Sequence, residues 1–163
     1  MMTTTVQRLG RTDIHLMRQL NALFASVFED AQSYASAPPN DGYLADLLAK
    51  DGFFALVALQ GKDVVGGLAA YELEKFEQAR SEIYIYDLAV AETHRRQGIA
   101  RTLINNLRDL AAQRGCWALY VQADYGDDPA IALYTSMGKR QDVLHFDIDV
   151  RAFPDLIESD QTL

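Results

Sequence analysis

The sequence has little of what marks a secreted, membrane-spanning or disulfide-stabilised protein. Among its 163 residues there is one cysteine, Cys116, which rules out an internal disulfide and fits a reducing, cytoplasmic setting. Apolar runs are interrupted by charges well before they reach the length of a membrane span. Residues 1–8 lack the apolar segment of a signal peptide, so we expect no export.

Positive charge is scarce as well. Fifteen lysines and arginines stand against 23 aspartates and glutamates, giving a net charge of −8, whereas nucleic-acid binding needs a basic surface. An acidic field instead favours the approach of a cationic ligand. The length and the 49% share of hydrophobic residues predict one folded domain, which we place at residues 1–150, followed by a C-terminal tail at 151–163.

Hydrophobic periodicity predicts a mixture of strands and helices. The predicted helices cover residues 13–28, 40–50, 99–114 and 129–137, and residues 35–39 are predicted as loop. The predicted strands cover residues 7–9, 53–59, 64–73, 82–90, 117–123 and 143–148. The helix between the fourth and fifth strands is long enough to join them in parallel, so we expect a mixed sheet.

The segment Arg95-Arg96-Gln97-Gly98-Ile99-Ala100 lies between the fourth predicted strand and the helix that follows it. Gly98 and Ala100 leave the helix start without bulky side chains, so its unpaired N–H groups and positive dipole end can face an anion. Arg95 and Arg96 add positive charge. A glycine at such a turn also has a purely steric explanation. Together these features predict a pyrophosphate site.

Three motifs around this segment resemble those of the GNAT superfamily of N-acetyltransferases. Arg95-x-x-Gly98-x-Ala100 resembles its coenzyme A signature, Asp87-Leu88-Ala89-Val90 its Leu-x-Val strand end, and Leu133-Tyr134-x-x-x-Gly138 its second motif. The resemblance implies an α/β (α+β) GNAT fold, with a mixed twisted sheet, splayed central strands and flanking helices. It also implies acetyl-CoA as co-substrate, bound by Leu88, Ala89, Val90, Arg95, Arg96, Gln97, Gly98, Ile99, Ala100 and Arg101.

Longer stretches resemble one branch of the superfamily, the class I aminoglycoside 3-N-acetyltransferases. They are residues 75–90, 94–100, 120–130 and 145–149. The resemblance implies acetylation of the 3-amino group on the 2-deoxystreptamine ring, and hence resistance to gentamicin-like drugs. The N-terminal third and the C-terminal tail resemble that family less closely.

Acetyl transfer to an amine needs a base, because alkyl amines with a pKa of about 10.4 are mostly protonated at neutral pH. Asp87 is the leading candidate, since it is acidic within an otherwise apolar run; Glu82 on the same strand is the second. The alternative role for Asp87 is that of a structural hydrogen-bond acceptor for the backbone or for a tyrosine. Tyr134 holds the position that the resemblance assigns to the general acid. The alternative role for Tyr134 is that of an aromatic core residue.

An aminoglycoside carries several ammonium groups, so we expect carboxylates around it. The predicted acceptor residues are Tyr86, Asp87, Gln122, Asp124, Tyr125, Asp127, Asp128, Asp147 and Asp149. Asp128 could instead cap the last helix. Asp147 and Asp149 share one face of the last predicted strand and could reach the cleft across a dimer. We expect a homodimer, and no metal because no histidine pair has the spacing of a metal site.

Two other functions fit parts of the pattern. The acceptor could be a polyamine or a protein N-terminus, since an acidic cleft suits a polyamine too. The chain could also bind acetyl-CoA without catalysis, although the presence of both Asp87 and Tyr134 favours an enzyme.

Overall fold

The computed structural model describes residues 3–150. In chain order the elements are β1 (Thr4–Arg8), α1 (Ile14–Val27), α2 (Ala31–Ala35), α3 (Asp41–Leu48), β2 (Phe53–Gln60), β3 (Asp63–Glu74), β4 (Ser81–Val90), α4 (Ile99–Gln113), β5 (Ala118–Val121) and α5 (Asp128–Thr135). A short 3₁₀ turn, Glu92–His94, joins β4 to α4. The five strands form one sheet in the order β1-β2-β3-β4-β5. The β4–β5 pair is parallel and the others are antiparallel, so the predicted mixed sheet is confirmed.

Helices cover both faces of the sheet. On one face α4 buries Leu103, Leu107 and Ala111, the apolar stripe expected from its periodicity. On the other face α1 and α3 bury a second cluster that includes Leu20 and Phe24. Because β2 is covered from both sides, the first six of its residues are buried. The two faces are called the α4 face and the α1 face below.

Helix α1 lies very close to the sheet because β3 carries a glycine beneath it. A Cβ at Gly67 would lie 2.4 Å from Cδ1 of Leu20 and 2.7 Å from the backbone oxygen of Leu56. Both distances are shorter than a van der Waals contact, so only glycine fits between α1 and β2. This approach sets the position of the α1–α2 segment over the end of β4.

A β-bulge in β4 changes which face its side chains occupy. Ala69 pairs with Asp87 and Ala70 with Ile85, so Tyr86 is the extra residue. Ile85 packs in the core of the α4 face, and the bulge places both Tyr86 and Asp87 on the opposite, α1 face. An unbulged strand would have alternated strictly and turned Asp87 into the apolar core.

The β4–β5 ladder is short. It runs from the pair Glu82–Ala118 to the pair Ile85–Val121 and then ends. Residues 86–90 of β4 therefore have no partner in β5, although they stay paired with β3. This is the splay that the resemblance implied, and it leaves backbone groups of β4 facing an open gap.

Several predicted bounds need correction. Helix α2 was missed, because five residues are too few to show a helical period. The final strand predicted at 143–148 is wrong for this structure, since residues 139–149 have no regular secondary structure. A strand requires a partner edge, and none of the described strands lies beside this segment. The predicted tail at 151–163 lies outside the described residues.

Cys116 takes part in a polar contact that the sequence did not predict. Its thiol lies 3.2 Å from Oγ of Ser81 and 3.4 Å from Oε1 of Glu72. The Ser81 hydroxyl also donates a hydrogen bond to Oε1 of Glu72, and Nε of Arg114 donates one to Oε2. Burial raises the pKa of the Cys116 thiol, so it stays protonated. The cluster ties β3, β4 and the end of α4 together.

None of the helices within residues 3–150 combines the length and apolarity needed to cross a bilayer. In the same range, no three histidine, cysteine, aspartate or glutamate side chains converge as a metal site would require.

Candidate active site

Asp87 lies half-buried on the α1 face, where the paired stretch of β4 and β5 has ended. Its Oδ2 accepts a hydrogen bond of 2.7 Å from the hydroxyl of Tyr34. Burial raises the pKa of the Asp87 carboxyl, and the Tyr34 hydrogen bond acts in the opposite direction. The result is a carboxylate with a raised pKa and a fixed orientation, which suits a general base.

Tyr34 is the residue at this site that sequence reasoning missed. It belongs to α2, whose first turn is capped by Asp30 through a 2.9 Å bond from the Ser33 N–H. The Tyr34 ring packs against Phe24 of α1 and against Phe28, the residue that follows α1. In both pairs the ring centroids are 5.8 Å apart. An aspartate three residues before a serine is the one local signal for this short helix. Nothing in the sequence connects Tyr34 to Asp87.

Four tyrosines form a row across the α1 face, named here the tyrosine row: Tyr71 of β3, Tyr86 and Tyr84 of β4, and Tyr120 of β5. Successive ring centroids are 6.0, 5.7 and 4.7 Å apart. Tyr86 is 62% exposed, and the Tyr84 hydroxyl donates a 3.1 Å hydrogen bond to Oε1 of the predicted acceptor residue Gln122. An open aromatic surface beside a carboxylate can hold the ring of a polar cationic ligand.

Glu82 lies at the opposite end of β4 from the splay. Its Oε1 accepts a 3.2 Å hydrogen bond from Nζ of Lys75, and the two form an ion pair. At the rise of a β-strand, five residues separate Glu82 from Asp87 by roughly 16 Å. The structure thus does not bring the two candidate bases together.

The Arg95–Ala100 loop has the backbone expected of an anion site. Arg96 and Gly98 have positive φ angles of 61° and 78°, and Gly98 begins α4 without any side-chain cap. The first N–H groups of α4 therefore remain free of a capping side chain, beside two exposed arginines. Ile99 is buried in the core, so only its backbone faces the loop.

The neighbouring side chains of Arg95, Arg101 and His94 make contacts within the protein. Nε of Arg95 donates to the backbone oxygen of Val90 at 3.4 Å, and Arg101 donates to Oγ of Ser136 on α5 at 2.6 Å. His94 contacts Thr93 and Gln60 through its two ring nitrogens. These contacts fix the loop relative to the unpaired end of β4 and to α5.

Tyr134 packs on the α4 face against the core cluster formed by the sheet and α4. Burial, with a smaller contribution from Asp127, raises the pKa of its hydroxyl to about 12. The phenol therefore keeps its proton throughout the physiological range. It can donate a hydrogen bond, and it is a weak acid for full proton transfer.

The acidic loop before α5 is open to solvent. Asp127, rather than Asp128, is the N-cap of α5, since its Oδ1 accepts from the Ala130 N–H at 3.3 Å. Asp128 is the first helical residue, so its alternative role as the helix cap is wrong by one position. Asp124 and Tyr125 are exposed and available to a ligand.

Asp147 and Asp149 lie apart from the other candidates. Both are exposed within residues 139–149, which form no strand, and Asp147 contacts His145 at 3.1 Å. The structure places Asp87 beside Tyr86 and connects Gln122 to Tyr84. It does not bring Asp147 or Asp149 near these residues.

An open strand edge that leads to a positively charged helix start forms a site for a long ligand with phosphates at one end. This is the arrangement of an acyl-CoA-dependent acyltransferase. The model of the acetyltransferase (GNAT) family matches residues 17–138, and the chain belongs to this family, whose members use acetyl-CoA. The family assignment and the GNAT fold expected from the sequence are confirmed.

Solved structures and sequence relatives give closer comparisons. The aminoglycoside acetyltransferase HMB0005, from an uncultured soil metagenomic sample, is 51% identical, covers 92% of this chain and 100% of its own, and has a TM-score of 0.90. The aminoglycoside acetyltransferase meta-AAC0020 of similar source, in complex with sisomicin, is 33% identical over 91% of this chain and 97% of its own, with a TM-score of 0.84.

A sequence relative from another organism matches a smaller part. N-acetyltransferase 8B of Rattus norvegicus is 31% identical over 96 residues, which is 59% of this chain and 41% of that protein. The chain thus spans less than half the length of this relative.

The Tyr34–Asp87 contact makes a prediction that needs no substrate. Replacing Tyr34→Phe removes a donor that favours the ionised carboxylate, so the pKa of Asp87 should rise further. Carboxyl ¹³C NMR titration of Asp87 measures this. Tyr43→Phe, which changes an exposed tyrosine of α3, is the matched control and should leave the Asp87 titration unchanged. An unaltered titration in Tyr34→Phe would contradict the contact.

Proposed function

We propose that this protein transfers an acetyl group from acetyl-CoA to the 3-amino group of the 2-deoxystreptamine ring of gentamicin-like aminoglycosides, and so confers resistance. The observation that carries the proposal is the position of Asp87, which lies on the unpaired end of β4 beside the tyrosine row and is oriented by Tyr34. The similarity to HMB0005 over nearly the whole chain, and to a relative that binds sisomicin, supports the acceptor class.

The Arg95–Ala100 loop and the end of β4 would hold coenzyme A. The pyrophosphate fits the free N–H groups at the start of α4 and the exposed Arg95 and Arg96. The unpaired backbone of residues 88–90 can pair with the pantetheine arm as an added strand does. A backbone N–H near Leu88 can also donate to the thioester carbonyl, where negative charge develops during transfer. A thioester supplies the activated acetyl group.

Asp87 is the proposed base. Desolvation raises its pKa toward the working pH, and its negative charge attracts the ammonium form of the acceptor. Asp87 accepts the proton, directly or through water, and leaves the amine with a free lone pair. Glu82 remains the alternative base, and its ion pair with Lys75 weakens that alternative.

Tyr134 is the proposed partner of the leaving thiolate. Because burial raises its pKa to about 12, it acts mainly by donating a hydrogen bond to the departing sulfur. Tyr134 packs on the α4 face and Asp87 lies on the α1 face, so the two groups act from opposite faces of the sheet.

The acceptor would bind along the tyrosine row. Tyr86 and Gln122 line that row, and Asp124, Tyr125, Asp127 and Asp128 supply an acidic loop toward the drug's other amines. Asp147 and Asp149 are proposed to contribute from a second copy of the chain. We propose a homodimer that works in the cytoplasm, where a free thiol such as Cys116 stays reduced.

One assay separates the proposed function from its alternatives. Thiol release from acetyl-CoA is measured with gentamicin, with spermidine and with an N-terminal peptide. Turnover with gentamicin alone supports the proposal, and turnover with spermidine or the peptide alone assigns the other acceptors. Binding of acetyl-CoA without turnover in any reaction would identify a non-catalytic protein.

The Asp87→Asn variant tests the base. It keeps the side-chain shape but removes basicity and charge, so kcat/KM for gentamicin should fall by about 10²-fold or more at neutral pH. Raising the pH should restore part of the loss, because free amine then forms without the carboxylate. Asp109→Asn, an exposed carboxylate on α4, is the control. Wild-type kinetics of Asp87→Asn from pH 6 to 9 would remove the assignment.

The Tyr134→Phe variant tests the hydrogen bond to the leaving group. It should lower kcat by about 10²-fold and leave both KM values within a few-fold, as expected for a contact made in the transition state. Thermal unfolding reports whether the phenylalanine preserves the packing. A folded variant with unchanged kcat would show that Tyr134 only packs.

The Arg96→Glu and Gly98→Asp variants test the phosphate site. Each places negative charge beside the pyrophosphate, so the KM for acetyl-CoA should rise strongly. Gly61→Asp is the matched control for Gly98→Asp, because Gly61 has a similar positive φ of 62° in the β2–β3 hairpin. Gly61→Asp reproduces the backbone strain of Gly98→Asp but adds no charge to the Arg95–Ala100 loop. Equal effects of the two glycine variants would mean that strain, and not phosphate binding, sets the KM.

A further inference from the structure

The end of β4 that lies away from the splay carries a charged cluster that proton transfer by Asp87 does not use. Nζ of Lys75 lies 3.2 Å from Oε1 of Glu82 and 3.6 Å from Oε1 of Glu77. Glu77 also pairs with Arg80 at 3.4 Å. Two cations thus balance two carboxylates, so the cluster offers hydrogen-bond donors and acceptors without a net charge.

The Lys75–Glu82 pair lies on the α1 face, beside the tyrosine row. Ile83 packs in the core of the α4 face, so strand alternation places its neighbours Glu82 and Tyr84 on the α1 face. Tyr84 stacks on Tyr120 of β5 with ring centroids 4.7 Å apart and planes 14° from parallel. Burial and then the Glu82 charge raise the pKa of Tyr120, and Lys75 lowers it, so both charges lie near the Tyr120 hydroxyl.

This combination of groups is complementary to a sugar ring that carries hydroxyls. A hydroxyl both donates and accepts, and here Nζ of Lys75 can donate to it while the Glu82 carboxylate accepts from it. Tyr120, which is 39% exposed, offers an apolar ring surface to the C–H groups of a sugar and a hydroxyl at its rim. An ammonium group would instead be repelled by Lys75.

We propose that Lys75, Glu82, Tyr84 and Tyr120 form a subsite, named here the hydroxyl subsite, which binds a second ring of the acceptor through its hydroxyls. The proposal rests on the proposed function, because that ring lies beyond the one whose amine Asp87 deprotonates. Glu82 and Asp87 are roughly 16 Å apart along β4, which leaves room for more than one ring. Glu82 therefore takes part in acceptor binding and not in proton transfer.

A neutral sugar tests the hydroxyl subsite without any acetyl transfer. Methyl α-D-glucopyranoside is a single uncharged ring, so attraction between net charges cannot account for its binding. In an NMR titration of the full chain, we expect weak binding that shifts the signals of Lys75, Glu82, Tyr84 and Tyr120. Saturating gentamicin should displace the glucoside. By contrast, 2-deoxystreptamine, which is the ring proposed to be acetylated, should not displace it.

The other outcomes of this titration contradict the proposal. Without shifts at the four residues, or with shifts confined to other residues, the hydroxyl subsite does not exist. Binding that gentamicin does not displace would place the subsite outside the acceptor site. Displacement by 2-deoxystreptamine would mean that the glucoside occupies the Asp87 end of the row.

The Lys75→Met variant tests the donor by the sign of its effect. It should lower kcat/KM for gentamicin about 10-fold relative to kcat/KM for 2-deoxystreptamine, because the second ring loses a charged hydrogen-bond partner. Lys62→Met, which changes an exposed lysine of the β2–β3 hairpin, is the matched control and should leave this ratio unchanged. A site that only attracts cations predicts a higher ratio, since Lys75→Met removes a positive charge. A higher or an unchanged ratio contradicts the proposal.

The Glu82→Leu variant separates acceptor binding from proton transfer. We expect the KM for gentamicin to rise about 10-fold or more while kcat stays within a few-fold, as for a contact present in both the bound state and the transition state. A fall in kcat with both gentamicin and 2-deoxystreptamine would make Glu82 the base and contradict the subsite. If the wild type acetylates neither amine, the proposed function fails, while the glucoside titration still decides whether the hydroxyl subsite binds a sugar ring.

Discussion

The early end of the β4–β5 ladder is the constraint on which the other features of the site depend. Pairing stops at Ile85 and Val121, and the next residue, Tyr86, is a bulge. The end of the ladder leaves the backbone of residues 86–90 open toward β5. The bulge turns Asp87 away from the apolar core and toward Tyr34. Without the bulge the Asp87 carboxylate would face the apolar core, and with a longer β4–β5 ladder the end of β4 would have no open edge.

Charge is distributed to match two different ligands. The chain carries a net charge of −8, yet the loop between β4 and α4 presents Arg95 and Arg96 beside free N–H groups. An anionic co-substrate can therefore bind at one end of the splay while a cationic acceptor approaches the other. Asp87 lies between these regions, and burial together with the Tyr34 hydrogen bond sets its pKa. In the proposed function, this arrangement separates cofactor recognition from proton transfer.

Sequence reasoning predicted the candidate residues that depend on local chemistry. Asp87 was chosen because a carboxylate interrupts an apolar strand, and Gly98 because a helix begins there after two arginines. Tyr34 could not be found, since its contact with Asp87 spans 53 residues from a helix too short to show periodicity. The strand predicted at 143–148 has a correct period-two pattern, but whether it pairs depends on an edge that its own chain does not bring to it.

The position of the acetyl group on the product tests the central claim most directly. The protein is incubated with acetyl-CoA and gentamicin, and the acetylated nitrogen is assigned by NMR. We predict one product, acetylated at the 3-amino group of the 2-deoxystreptamine ring, and loss of that product in Asp87→Asn. Acetylation at a different nitrogen, or no acetylated drug at all, would contradict the account.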